Sequence, residues 1–144
     1  MLIEAARALG RRAVISLGWG SLDVIDAGAD CISIGEVDHA KLFPRVAAVV
    51  HHGGAGTTTV PAKAGSPQLV VPHLYYQHYW ASRVRRLGIG VAGPLAARLT
   101  VDALAGALRK CLRPDVAARA SSLANRIEPH GARRAAERLA KDFG

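Results

Sequence analysis

The sequence predicts an α/β protein, a doubly wound parallel sheet followed by a helical tail. Three observations carry this. Short apolar runs alternate with helical patterns through the first two thirds of the chain; the runs end in loops punctuated by glycine or proline; and from Thr100 onward the apolar residues fall at helical spacing. The 144 residues suffice for one domain with a core and are too few for two of ordinary size. We therefore read residues 1–99 as the α/β unit and 100–144 as a helical tail packing on it.

The elements follow in order. Leu2, Ile3, Ala6 and Leu9 recur at helical spacing before Gly10. Ala13 to Leu17 reads as a buried strand ending in the loop Gly18-Trp19-Gly20-Ser21, and residues 22–30 read as loop. Cys31 to Val37 holds a short strand closing on Gly35, and His39 to Phe43 makes one helical turn that Pro44 ends. Val46 to Val50 is the next strand. The helix after it is placed from Thr57, with its true start nearer Thr58 because Pro61 fits only a first turn, to Ala64 and the stop at Gly65. Gln68 to Val71 is a strand ended by Pro72, and residues 73–76 are a loop. Gln77 to Leu87 is a helix with Trp80, Val84 and Leu87 on one face and Gly88 as its stop, with Ile89 to Ala92 a last strand. In the tail, Thr100 caps a helix with Leu104, Ala105 and Leu108 on one stripe; Pro114 starts a second helix that Pro129 stops; and Gly131 precedes a third carrying Ala132, Ala135, Ala136 and Leu139.

Composition narrows the partners. Half the residues are hydrophobic and 21% are charged, with no apolar run long enough for a bilayer and no signal peptide, so a soluble, cytoplasmic protein with no membrane span is expected. The net charge of +8 invites a nucleic-acid reading, but the arginines are scattered through amphipathic segments without interleaved aromatics. Solvated helix faces account for most of that charge, and no nucleic-acid partner is expected. A basic surface also suits a nucleoside diphosphate or an acidic partner domain. Cys31 and Cys111 have no metal-ligand spacing and read as two reduced thiols; no metal and no cofactor are expected.

The chemistry concentrates in Val49-Val50-His51-His52-Gly53-Gly54-Ala55-Gly56-Thr57-Thr58-Thr59, where a strand breaks into a glycine-rich turn and a helix start. Such a turn lets backbone N–H groups approach a ligand, and the helix start adds unpaired donors and a partial positive charge. Together they suit a phosphate. An ordinary strand-to-helix turn would use glycine too, but paired histidines and a threonine run exceed what turning needs. In a doubly wound sheet ligands bind at the carboxyl ends of the strands, which places Gly18 to Ser21, Gly35 to His39, His51 to Thr58 and Pro72 to Gln77 on one rim. No G-x-G-x-x-G follows a strand and opens a helix, and GK[ST] is absent, which disfavours dinucleotide binding and P-loop chemistry.

Ser16-Leu17-Gly18-Trp19-Gly20, Gly35-Glu36-Val37-Asp38-His39, His51-His52-Gly53-Gly54-Ala55-Gly56-Thr57-Thr58, Gly65-Ser66-Pro67 and Gln77-His78-Tyr79-Trp80-Ala81-Ser82-Arg83-Val84, in this order, resemble the carboxyl-terminal nucleotide-sugar-binding domain of GT-B glycosyltransferases of family 1. The sequence has most in common with bacterial enzymes that glycosylate vancomycin-type antibiotics, and next with sterol glucosyltransferases. The resemblance spans nearly the whole chain. It implies that His52 and the backbone of Gly54, Ala55, Gly56, Thr57 and Thr58 hold the donor's diphosphate, that Trp19 and the Glu36, Val37, Asp38 loop border the base and ribose, and that Pro72, Tyr76 and Gln77 face the sugar. His51 is given a structural role. The implied reaction is metal-independent inverting transfer from a dTDP- or UDP-sugar to a small-molecule acceptor, the base coming from an amino-terminal domain, so this chain alone would be inactive and holds no catalytic base.

Three departures qualify the picture. Tyr76 stands where the family usually has Asp, which points to a deoxy or modified sugar; Val60 stands where plant members carry a ribose-binding Glu, which suits dTDP. A strand that the family places in the middle of the sheet, ahead of the first helix, has no counterpart here, so a fragment prone to strand exchange or homo-oligomers is expected. A non-catalytic nucleotide-binding or partner-interaction module is the alternative.

Overall fold

The computed structural model describes residues 1–17, 28–128 and 130–143. Its elements in chain order are α1 (Leu2–Arg7), β1 (Ala13–Ser16), β2 (Cys31–Ile34), α2 (His39–Leu42), β3 (Val49–His51), α3 (Ala55–Ala64), β4 (Gln68–Val70), α4 (Tyr75–Leu87), β5 (Gly90–Ala92), α5 (Val101–Cys111), α6 (Pro114–Ala124) and α7 (Gly131–Phe143), with 3-10 turns at Phe43–Arg45 and Ala96–Arg98. Every strand pairing is parallel: β1 with β2 in one sheet, and β3-β4-β5 in another.

Strand β4 is the centre. Alternation along an extended chain sends Leu69 and Val71 to one face, where they meet Ala5 of α1 and Leu104, Ala105 and Cys111 of α5. Val70 goes to the other, against Ala81 and Val84 of α4, Ile89, and Ala120 of α6. Helices thus cover both faces, as a sheet of buried parallel strands requires. Burial of Cys111 pushes its thiol up to about 12, which leaves it protonated and unreactive at neutral pH.

Several boundaries differ from the sequence-based expectation, each for a local reason. Helix α2 stops at Leu42, one residue earlier than expected, and Pro44 sits in the first positions of the 3-10 turn Phe43–Arg45, where a missing N–H costs nothing. Strand β3 begins at Val49 instead of Val46, because its first partner in the ladder is the Pro67 carbonyl, 2.8 Å from the Val49 nitrogen. It also takes in His51, whose carbonyl accepts from Val71 at 2.8 Å. Helix α3 starts at Ala55 behind Gly54 and carries the fully buried Pro61 in its interior. Helix α4 starts at Tyr75, since Gln77 Oε1 accepts from the His73 and Leu74 nitrogens at 2.7 and 2.9 Å and so turns the chain early. Its buried face is Gln77, Ala81 and Val84, and Leu87 is exposed.

The tail divides. Thr100 caps α5 by accepting from the Ala103 nitrogen at 3.1 Å, and α5 and α6 pack on the sheet unit, α6 against α3. Helix α7 has no buried residue, and Leu139 and Phe143 stand exposed. Among the described residues no helix is long and apolar enough to cross a membrane.

Among the described residues the strands form two separate sheets. Among the described residues β1 pairs only with β2, and β3 only with β4, and their remaining edges face a cleft of about 950 Å³ lined by Val14, Ser16, Val50, Leu69, Leu104 and Leu108 among others. The Ala13 and Leu17 nitrogens are bonded to Asp30 and Ile34 of the β2 segment, so alternation turns the Val14 and Ser16 nitrogens into the cleft. Across it, α1 packs on α5, and Arg7 grips Asp30 through two bonds of 2.7 Å. Amide hydrogen exchange checks this arrangement: Val14 and Ser16 are expected to exchange orders of magnitude faster than Leu69 and Val70, whose strand is paired on both sides.

Candidate functional site

The site forms where β3 runs into α3. His51 is the last residue of β3, and its ring folds back so that Nδ1 accepts from the Gly53 nitrogen at 3.0 Å while Nε2 lies 2.9 Å from Gln68 Oε1 on β4. Gly53 is buried with φ at 94°. A Cβ there would stand 2.7 Å from Val70 Cγ1 and 3.2 Å from the Gln77 carbonyl, so only glycine lets the turn press against β4 and the start of α4. A Cβ on Gly54 would meet the His52 ring at 2.8 Å; the exposed imidazole of His52 therefore lies across the glycine that opens α3.

Gly54 caps α3 with extended backbone and no side chain to bond the helix. The first intrahelical bond is Thr58 N–H to the Gly54 carbonyl at 2.8 Å, which leaves the N–H groups of Ala55, Gly56 and Thr57 without helical partners, on a partly positive helix end. Ala55 and Gly56 are exposed and Thr57 half-buried. Thr58 stands differently from the rest of the expected diphosphate set. It is buried, and its hydroxyl also donates to the Gly54 carbonyl at 2.8 Å, so neither of its donors faces the rim.

Burial holds the His51 imidazole below the usual histidine pKa, aided by the nearness of His52 and opposed by the bond to Gln68. A ring that accepts at Nδ1 and stays uncharged carries its hydrogen on Nε2 and donates it to Gln68 Oε1.

The other expected residues fall on neighbouring loops. Glu36, Val37 and Asp38 are exposed after β2; Asp38 Oδ1 accepts from the Ala40 nitrogen at 3.0 Å and so starts α2, which packs on α3. The Ser66 hydroxyl ties the Phe43 carbonyl to the end of α3 at 2.6 Å. Pro72 is buried, Tyr76 is exposed in the first turn of α4, and Gln77 is 3% exposed with its Oε1 committed to the turn. The contact between Gly53 and Gln77 brings the loops after β3 and β4 together. Trp19 and the Gly18 to Ser21 loop lie outside the described residues. Gln68 was missed from sequence: its signal was a lone amide opening an otherwise apolar strand.

This architecture, a parallel sheet with a glycine turn feeding an uncapped helix, matches known proteins over nearly its whole length. Residues 1–140 match the erythromycin biosynthesis protein CIII-like carboxyl-terminal domain, and the chain belongs to that family. It is 52% identical over 139 residues to a vancomycin aglycone glucosyltransferase of Amycolatopsis orientalis, covering 95% of this chain and 33% of that protein. With a dTDP-epi-vancosaminyltransferase of the same organism it shares 47% over 129 residues, covering 85% of this chain and 32% of that one. The crystal structure of the glycosyltransferase VinC in complex with dTDP superposes with a TM-score of 0.74 at 28% identity, covering 86% of this chain and 32% of that one. The chain spans about a third of the length of the curated relatives it matches.

Two measurements check the geometry. Gly53→Ala forces a methyl-bearing residue into a left-handed backbone against Val70, and thermal or denaturant unfolding is expected to show a loss of about 1–3 kcal/mol. Because the folded-state pKa of His51 is lowered, the unfolded chain binds its proton more readily, so the neutral ring's contribution is full above the ordinary value of 6.5 and is lost as pH falls through it. Melting temperatures taken from pH 7.5 to 5.5 are expected to fall over this range for the parent chain, with a shallower fall in His51→Asn.

Proposed function

We propose that this chain is the donor-binding half of an inverting glycosyltransferase that moves a sugar from a dTDP- or UDP-sugar to a small-molecule natural product. The observation that carries the reading is the uncapped start of α3, with the unspent N–H groups of Ala55, Gly56 and Thr57 beside the exposed ring of His52 at the carboxyl end of a parallel sheet. Glycosyl transfer releases a nucleoside diphosphate, so negative charge builds on the leaving phosphate in the transition state. Fixed N–H donors and a histidine at that point stabilise the transition state more than the ground state. In this reading the charge is met by these groups and no metal is called for.

The remaining assignments follow the rim. Glu36, Val37, Asp38 and Trp19 border the base and ribose; Pro72 and Tyr76 shape the sugar pocket, and Gln77 offers it only the Nε2 side, since Oε1 holds the turn. Thr58 supports the loop from beneath instead of donating to phosphate. Tyr76 and Val60 favour a dTDP-linked deoxysugar, in keeping with one relative named for dTDP-epi-vancosamine and a structural neighbour holding dTDP. The acceptor site and the general base belong to an amino-terminal domain, the setting is cytoplasmic, and the open edges of β1 and β3 favour self-association of this chain on its own. A non-catalytic nucleotide-binding module is the second reading, favoured by Tyr76 at the position where the family usually has Asp.

Calorimetric titration of the chain with dTDP and UDP tests this. Binding of both is expected, dTDP more tightly, with no nucleotide released from a dTDP-sugar by the chain alone. His52→Ala is expected to weaken dTDP about 10- to 100-fold, the range of one charge-assisted hydrogen bond. Equal affinity in parent and variant would remove His52 from the phosphate site. Release of nucleotide from a dTDP-sugar and acceptor by the enzyme joined to its amino-terminal domain separates a transferase from a binding module.

A further inference from the structure

The bonds around His51 form a line that the diphosphate reading leaves without a purpose. Gln68 is 0% exposed in the central strand, and its Nε2 has no hydrogen-bond partner among the described residues. A buried amide with half its capacity unused costs stability that an apolar residue of the same size would not. What its Oε1 does is hold the His51 ring, 2.9 Å away. The amide orientation is not free to reverse. The Gly53 N–H occupies Nδ1, so Nε2 bears the hydrogen and needs an acceptor, which Gln68 Oε1 supplies.

We propose that His51 is the positioning residue of the phosphate turn: its uncharged ring, anchored on Gln68, grips the Gly53 N–H and so sets where His52 and the N–H groups of Ala55 to Thr57 stand before a diphosphate arrives. The proposal rests on the diphosphate reading and goes beyond it, since His51 itself touches no ligand. Gly53 has no side chain with which to anchor itself, and the bond from its N–H to His51 Nδ1 ties its amide in place. Because the anchor lies in the most buried strand, the turn inherits that strand's rigidity. A preorganised donor set avoids the ordering cost that a loose loop would meet on binding.

The test uses the 144-residue chain, dTDP as probe, and three variants. His51→Asn keeps a short acceptor near Gly53 and loses the reach to Gln68; His51→Leu loses both bonds; Gln68→Leu removes the anchor alone. His51→Leu is expected to weaken dTDP by about tenfold or more and to speed exchange of the Gly53 amide, with His51→Asn staying within about threefold of the parent and Gln68→Leu falling between. A structural residue would instead give a common loss of melting temperature with no rescue by Asn. Nitrogen-resolved spectra of the imidazole are expected to show the hydrogen on Nε2 in the parent.

Unchanged dTDP affinity in a folded His51→Leu, or Asn falling as far as Leu, overturns the proposal. So does a hydrogen on Nδ1. If His51→Leu does not fold, Gln68→Leu decides: weakened dTDP with faster Gly53 exchange supports the anchor, and parental values of both overturn it. A folded parent that binds no dTDP removes the diphosphate reading itself. The imidazole spectrum and the Gly53 exchange rates then still report whether His51 fixes the turn.

Discussion

The close approach of the Gly53 backbone to β4 and α4 is the constraint on which the site depends. Val70 and the Gln77 carbonyl leave no room for a side chain at that point, so the chain leaving β3 must turn there, in a left-handed conformation, and reach Gly54 already aimed along α3. From that follow the direction of the helix, the exposure of its first N–H groups and the place of His52 over Gly54. The force behind the approach is burial. Strand β4 is covered on one face by α1 and α5 and on the other by α4 and α6, and any separation of Gly53 from Val70 would open that core to water.

Around this point the fold spends polar groups selectively. Thr58 and Gln77 direct their oxygens to the backbone, one onto the Gly54 carbonyl and one toward the His73 and Leu74 nitrogens, and so stiffen the two loops that meet at Gly53. Ala55 and Gly56 carry no group that could compete for their own N–H donors. The paired histidines split the work in the same way, with His51 turned inward to Gln68 and His52 left toward solvent. Residues that look alike in the sequence therefore differ by one position of alternation between a ring held inside and a ring left exposed.

Much of this was legible in the residues. Alternating apolar runs and glycine stops gave the parallel strands and the order of the helices, because both depend on local pattern and on chain stiffness. The tandem His51-His52 followed by Gly53-Gly54 marked the turn from β3 into α3 for the same reason. What escaped was decided by distant partners. The start of α4 at Tyr75 depends on Gln77 reaching back, and its buried face on how Ala81 and Val84 fit against Val70 and Ile89, neither of which periodicity reveals. Pro61 lies inside α3 and is fully buried, a placement that the local helix rule does not give. Gln68 stood out only as a lone amide in an apolar strand, and its role comes from the His51 ring that lies across from it.

The break between the two sheets has a mechanical consequence. The loop from Glu36 to Asp38 rides on the β1–β2 pair, while His52 and the start of α3 ride on the three-stranded sheet, and among the described residues no strand hydrogen bond joins the two carriers. Their separation is set by side-chain packing of α1 on α5 and α2 on α3. The rim is therefore built like a pair of calipers, with the Glu36 to Asp38 loop on one jaw and the start of α3 on the other, and a ligand spanning both would itself act as the gauge that fixes the opening.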